Sequence, residues 1–234
     1  SIMSEMGNVT QAEPYITEAL DIMLRIYGED SPAMVSAYTH VGSFYFDSGD
    51  YDKASRYIEK NISIIKSTSG DMHPNLIGCY SYMGGISQAT GNYEDALCWF
   101  QQVLDVTIQC YGEEHTKTAE AYANLGGICL ILEKYDEALD LINKSLEINV
   151  SIHGEKYVGV AAAYNGLAQT YMAMGRDLDA IANFQKAIEI RKEIFGANSV
   201  KLKSLYTFMK QIYQKMGDSK NVELYDSLLN DIQQ

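Results

Sequence analysis

The chain has 234 residues, 47% of them hydrophobic and 21% charged, proportions of an ordinary folded protein. Its net charge of −13 repels phosphates, which argues against nucleic acid and anionic membrane surfaces as direct ligands and favours basic segments of other proteins. Three prolines and the absence of a long apolar run suit a helical chain outside the bilayer; the opening SIMSEM is no secretion signal, so a cytoplasmic location is expected. Cys79, Cys98, Cys110 and Cys129 show neither CxxC pairing nor metal-ligand spacing, and are expected to be reduced and mostly packed.

In chain order, the same motif returns every 42 residues. Glycines stand at Gly28, Gly70, Gly112, Gly154 and Gly196, and tyrosines at Tyr38, Tyr80, Tyr122, Tyr164 and Tyr206. A small-residue column runs Ala12, Ala54, Ala96, Ala138 and Ala180 and ends in Val222. Three columns locked to one period define a repeat protein. The expected array has a partial repeat at 1–27, full repeats at 28–69, 70–111, 112–153 and 154–195, and a last repeat at 196–234 with a capping helix.

Each period reads as two helices. Pro32 opens the first, and Met34, Val35, Tyr38, Val41, Gly42 and Tyr45 follow at spacings of three and four, the stripe of an amphipathic helix. The SGDY stretch stops it, with Gly49 as its C-cap. A second helix follows with Tyr51, Ala54, Tyr57, Ile58, Ile62 and Ile65 on one face, ending near Gly70. The later hairpin turns are GNYEDA, EKYDEA, GRDLDA and GDSKNV. Gly42, Gly84, Gly126 and Ala168 are expected to face the alanine column, bringing the two backbones close. The tyrosines are expected to fill the core between repeats rather than to bind ligand.

Gly7 aligns with Gly49, so a turn is expected there, with residues 9–26 forming the partner helix of a repeat whose start lies outside the sequence. That register implies a piece of a longer protein. It also implies an uncovered apolar face, carrying Ala12, Leu20, Ile22 and Ile26, through which two copies could associate. At the other end, Asp226 stands where Ile58, Phe100, Ile142 and Phe184 stand earlier, which suits a solvent-facing cap.

The stretch YANLGGICLILEKYDEALDLINKSLEI (122–148) resembles a tetratricopeptide repeat, with the aromatic–Leu–Gly opening and the second-helix alanine in place. The 42-residue period is longer than the usual length of about 34 residues. In this it resembles the repeats of kinesin light chains and of clustered-mitochondria and nephrocystin-type proteins. The resemblance covers essentially the whole chain. It implies an all-α, right-handed superhelical solenoid of antiparallel helix pairs whose concave groove, lined by the first helices, binds a partner's peptide or helix.

Carried onto this sequence, the groove positions in the first full repeat are Ser36, Thr39, His40 and Ser43. The second repeat supplies Gly78, Ser81, Tyr82 and Gly85, and the third Glu120, Ala123, Asn124 and Gly127. The fourth supplies Ala162, Asn165, Gly166 and Gln169, and the fifth Ser204, Thr207, Phe208 and Gln211. Relatives that clamp a C-terminal carboxylate use Lys, Arg and Asn at these positions; here no Lys or Arg occupies any of them. Relatives of the kinesin-light-chain type use an asparagine ladder, of which Asn124 alone remains at the main position. The expected ligand is therefore a partly apolar peptide or helix, with Glu120 able to select a basic residue on it.

No GxGxxG follows a strand, and no Walker loop, HExxH or GxSxG is present, so neither catalysis nor a cofactor is expected. His73 and His115 sit in equivalent turns without a carboxylate cluster, a poor metal site. The expected function is that of an interaction scaffold or adaptor. The alternatives are a regulatory or substrate-recruiting region of a larger enzyme or signalling protein, and a structural unit of a cytoskeletal or ciliary assembly.

Overall fold

A computed structural model describes residues 2–232, with side chains over 12–232. The chain forms two compact units, Ser1–Cys110 and Tyr111–Gln234. The first holds α1 (Ile2–Tyr27), the hairpin α2 (Met34–Asp47) and α3 (Tyr51–Ser69), and the hairpin α4 (Asn75–Ala89) and α5 (Tyr93–Tyr111), whose last residue opens the second unit. The second holds the hairpins α6 (Thr116–Ile131) with α7 (Tyr135–His153), α8 (Val158–Ala173) with α9 (Asp177–Phe195), and α10 (Lys203–Met216) with α11 (Ser219–Ile232). A 3-10 turn at Val200–Leu202 precedes α10. No strand occurs among the described residues.

Every hairpin turn is built the same way. After α2, the Asp50 N–H donates to the Tyr45 carbonyl and the Gly49 N–H to Phe46, the paired bonds that close a helix through a left-handed residue. Asn92 and Gly91, Lys134 and Glu133, Arg176 and Gly175, and Asp218 and Gly217 repeat both bonds. The left-handed residue is glycine in four turns, but in the third it is Glu133, at φ 59°. The turns between repeats are stricter. Gly70 and Gly154 adopt φ 87°, ψ 172° and φ 78°, ψ 177°, a region open essentially to glycine alone, which accounts for the 42-residue glycine column.

Within each hairpin the two backbones approach where the sequence is small. A Cβ on Gly42 would lie 2.5 Å from Ile58 Cδ1, one on Gly84 3.0 Å from the Phe100 ring, and one on Gly126 2.7 Å from Ile142 Cγ1. The glycine column thus seats the bulky residue four positions after each alanine, rather than the alanine side chain. The alanine carbonyl closes the same contact, with Ala138 O 3.3 Å from that Cβ on Gly126. In the fourth hairpin Ala168 and Phe184 are both fully buried in one cluster. In the last, the two positions hold Lys210 and Asp226, whose Nζ and Oδ1 pair at 2.5 Å. The apolar contact has become a half-exposed ion pair.

The tyrosine column packs as expected at Tyr38, Tyr80, Tyr122 and Tyr206, while Tyr164 is half-buried. In each case a lysine ammonium lies over the ring: Lys60, Lys66, Lys144, Lys186 and Lys192 respectively, at 4.8–5.9 Å from the ring centre. Burial, with a hydrogen bond to Glu113, pushes the Tyr122 hydroxyl up to about 12, so it stays protonated.

Several expectations are corrected. α1 runs unbroken through Gly7, where a turn was expected. On that helix Leu20 is buried, whereas Ile22 and Ile26 are exposed. In α3 the inward position after Ile58 is Asn61, not Ile62; 54, 58, 61 and 65 follow the helical period, and Ile62 lies to one side, half-buried. Of the cysteines, Cys79 and Cys129 are buried, Cys98 is exposed and Cys110 is half-buried. Burial pushes the Cys79 thiol up to about 11, which leaves it unreactive.

Glu133 is the one non-glycine residue at positive φ among the described residues. Glu133→Gly is therefore expected to stabilise the chain by about 1 kcal/mol. Thermal unfolding should show a rise of roughly 2–5 °C, whereas an unchanged or lower midpoint would contradict the strain assigned to this turn.

Candidate functional site

The first helix of each hairpin carries two kinds of surface. Its inward stripe (Met34, Ala37, Tyr38, Val41, Gly42 and Tyr45 in α2) is buried, and the expected groove positions all lie off it. Ser36, His40, Gly78, Glu120, Asn124, Ala162, Ser204 and Gln211 are exposed. Thr39, Ser43, Ser81, Tyr82, Gly85, Ala123, Gly127, Asn165, Gly166, Gln169, Thr207 and Phe208 are half-buried.

Many hydroxyls on this face are already engaged. Thr39 donates to Val35 O at 2.8 Å, Ser43 to His40 O at 3.0 Å, Ser81 to Ile77 O at 2.8 Å and Thr207 to Lys203 O at 2.8 Å. Such bonds to the preceding helical turn leave those groups little to offer a ligand. The aromatic candidates also pack on the chain itself. Tyr82 meets Phe46 edge-on with ring centres 5.4 Å apart, and Phe208 stacks on Phe184 at 5.4 Å. By contrast, the side chains of His40, Glu120, Asn124, Gln169 and Gln211 make no hydrogen bond or ion pair within the described residues, and Asn165 Oδ1 is buried without a partner.

In the first unit the structure gathers part of the expected set into an open cleft of about 420 Å³. Val35, Ser36, Thr39 and His40 of α2 form one wall, Asn61 and Ile65 of α3 the floor, and Pro74, Asn75 and Gly78 the other wall. Asn61 is 1% exposed; its Nδ2 donates to Thr39 Oγ1 at 2.7 Å, and its Oδ1 has no partner. Ser43, Ser81 and Tyr82 lie outside this cleft. No sequence signal marked Asn61, because a polar residue at a core-facing helical position looks like a break in the stripe.

The second unit holds a cleft at the same place in the repeat, of about 510 Å³. Arg191, Val200, Lys201 and Ser204 lie 126 residues, three periods, after Ile65, Pro74, Asn75 and Gly78. Val158, Phe195 and Lys203 complete the lining. Of the second unit's expected groove residues only Ser204 lines it; Glu120, Asn124, Asn165, Gln169, Phe208 and Gln211 do not. Arg191 comes from the second helix, Lys201 from the turn before α10 and Lys203 from the first residue of α10, and none of the three is an expected groove position.

His73 and His115 have structural roles. Each Nδ1 accepts the backbone N–H two residues on, from Asn75 at 3.3 Å and Lys117 at 3.1 Å, and so helps cap the following helix. Among the described residues no group of three or more His, Cys, Asp or Glu could hold a metal ion, and no helix is long and apolar enough to cross a membrane.

Stacked antiparallel helix pairs with an open cleft beside the first helices define a class of helical repeat proteins. The sequence model of the tetratricopeptide repeat matches residues 1–67, 33–107, 79–149 and 159–225, and the chain belongs to that family. No curated protein is significantly similar in sequence. Among solved structures, BtubC (BKLC) from P. vanneervenii aligns over 100% of this chain and 91% of its own, with 20% identity and a TM-score of 0.76. A Podosopora anserina protein of the kinesin-light-chain type, with nearly identical TPR-like repeats, aligns over 86% and 96%, with 17% identity and a TM-score of 0.71. The apo form of RapI aligns over 99% and 94%, with 14% identity and a TM-score of 0.71. At these identities the likeness is one of fold.

The Thr39–Asn61 contact generates a stability test. Thr39→Ala strands the buried Asn61 amide and is expected to cost about 1–3 kcal/mol. Asn61→Val, the residue type found one period later at Val103, removes an amide whose oxygen already lacks a partner, and should stay within about 1 kcal/mol of wild type. Denaturant unfolding of the double variant should match Asn61→Val; additive losses would contradict the contact.

Proposed function

We propose that this chain is a protein–protein interaction scaffold that takes a peptide or helix of a partner along the exposed face of its first helices, and that it does not act as a catalyst. The observation that carries this reading is the cleft repeated at one register in both units, beside helices whose outward side chains keep unused hydrogen-bonding groups. His40, Asn124, Gln169 and Gln211 supply the polar contacts of that surface, alongside Asn165, whose Oδ1 has no partner, while Thr39, Ser43 and Ser81 line it with hydroxyls already bonded to their own helix. Tyr82 and Phe208, held by Phe46 and Phe184, supply preorganised aromatic edges. Glu120, exposed and outside every ion pair among the described residues, selects a Lys or Arg on the ligand. The family membership and the likeness to repeat proteins support the same reading.

The test compares wild type with a His40→Ala, Asn124→Ala, Gln211→Ala variant in capture from source-cell lysate. All three residues are exposed and make no side-chain hydrogen bond among the described residues, so the variant is expected to fold normally. Proteins retained by wild type and lost by the variant are the expected result. An identical set of partners on both would contradict use of this face.

A second reading is favoured by α1, where Tyr15 (74% exposed), Ile22 and Ile26 fall along one side of the helix and Tyr27 is also exposed. This stripe pairs two copies of the chain. Light scattering should then give a mass that rises with concentration and falls to the monomer in an Ile22→Glu, Ile26→Glu variant. A monomer mass at all concentrations would exclude the pairing.

A further inference from the structure

The second unit's cleft differs in chemistry from its counterpart in the first. Where Ile65, Asn75 and Gly78 line the one, Arg191, Lys201 and Ser204 line the other, and Lys203 adds a third cation. No Asp or Glu lines it. Arg191, Lys201 and Lys203 meet no carboxylate within 4.0 Å among the described residues, and unlike Lys156 and Lys186, whose cleft also holds Glu155, Glu189 and Glu193, they share a lining without an acid. In a chain of net charge −13, three cations around one cleft whose lining has no acidic residue concentrate positive charge at that place.

We infer that this cleft is a carboxylate-binding pocket that takes an Asp or Glu side chain, flanked by an apolar residue, on the partner segment; this rests on the scaffold reading above. Arg191 is the centre of the pocket. Its Nη1 donates to the Lys201 carbonyl at 2.8 Å, which fixes the guanidinium plane and leaves its other N–H groups for the two oxygens of a carboxylate. Lys201 Nζ sits 3.9 Å from the centre of the Phe195 ring, and this contact steers the ammonium. Burial pulls the Arg191 guanidinium below its usual value, so its charge is held at a cost that an entering anion offsets.

The apolar lining selects the ligand class. Val158 is 43% and Val200 69% exposed beside the cations, and Phe195 is half-buried. A phosphate ion brings nothing to cover these side chains, and a polyanion meets the repulsion of the acidic chain. A peptide with an acidic residue next to a leucine or phenylalanine satisfies both halves of the pocket.

The test is fluorescence polarisation with a labelled peptide, Gly-Glu-Leu-Asp-Phe-Glu-Gly, amidated at its C-terminus so that only side-chain carboxylates are present. Its Gln/Asn counterpart serves as control. The acidic peptide is expected to bind at least about ten-fold tighter than the control, and binding should weaken with added salt. Arg191→Ala and Lys203→Glu are each expected to weaken it at least about ten-fold. Lys203 is exposed and its side chain makes no hydrogen bond among the described residues, so its variant keeps the test valid if loss of Arg191 disturbs the fold. Equal affinity for the two peptides, or unchanged binding by the Lys203→Glu variant, would overturn the assignment. So would a cleft that binds inorganic phosphate but not the acidic peptide. Any of these failures leaves the lysate comparison with the His40, Asn124 and Gln211 variant intact, so the pocket and the scaffold reading fail separately.

Discussion

The closest approach between the two helices of each hairpin is the constraint on which the rest of the structure depends. At Gly42, Gly84 and Gly126 a missing Cβ lets Ile58, Phe100 and Ile142 lie against the backbone of the first helix. That contact holds each hairpin tight, and it turns the tyrosine of the same first helix inward. Repeats then bury apolar surface that no single hairpin could cover. At the same two positions of α10 and α11 the apolar contact gives way to the Lys210–Asp226 ion pair.

Because the frame is so uniform, chemical variety is confined to positions that the frame does not use. The clefts at residues 35–78 and 158–204 share a register yet differ in content, with Ile65 and Asn75 in one and Arg191 and Lys201 in the other. Substituting residues there leaves the glycine turns, the alanine column and the core tyrosines untouched. A repeat of this kind can therefore carry different ligand preferences along one chain, in the proposed scaffold as in any array that varies only its outward positions.

Most of the fold was legible in the sequence, because its columns follow from backbone requirements that recur without exception. Gly70 and Gly154 are needed for a region that no side chain tolerates, and the period announces them. The repeat register alone misplaced a turn at Gly7, because the alignment of a glycine with Gly49 does not by itself stop a helix, and α1 runs through it. Asn61 carried no signal in the sequence because it is polar, yet helical phase places it inside, bonded to Thr39. The candidate site was legible in part. Exposed first-helix positions such as His40 and Asn124 followed from the resemblance, but Arg191 and Lys201 came from other elements. Which cations share a cleft depends on three segments meeting in space.

The close approach is tested most directly by two neighbouring glycines. A Cβ on Gly126 would lie 2.7 Å from Ile142 Cγ1 and 3.3 Å from Ala138 O, while one on Gly127 would meet nothing within 4 Å. Gly126→Ala is expected to lose about 1–2 kcal/mol in denaturant unfolding, overpacking outweighing the gain in helix propensity. Gly127→Ala should gain about 0.5–1 kcal/mol from propensity alone. A Gly126→Ala protein as stable as Gly127→Ala would contradict the claim that this contact sets the hairpin.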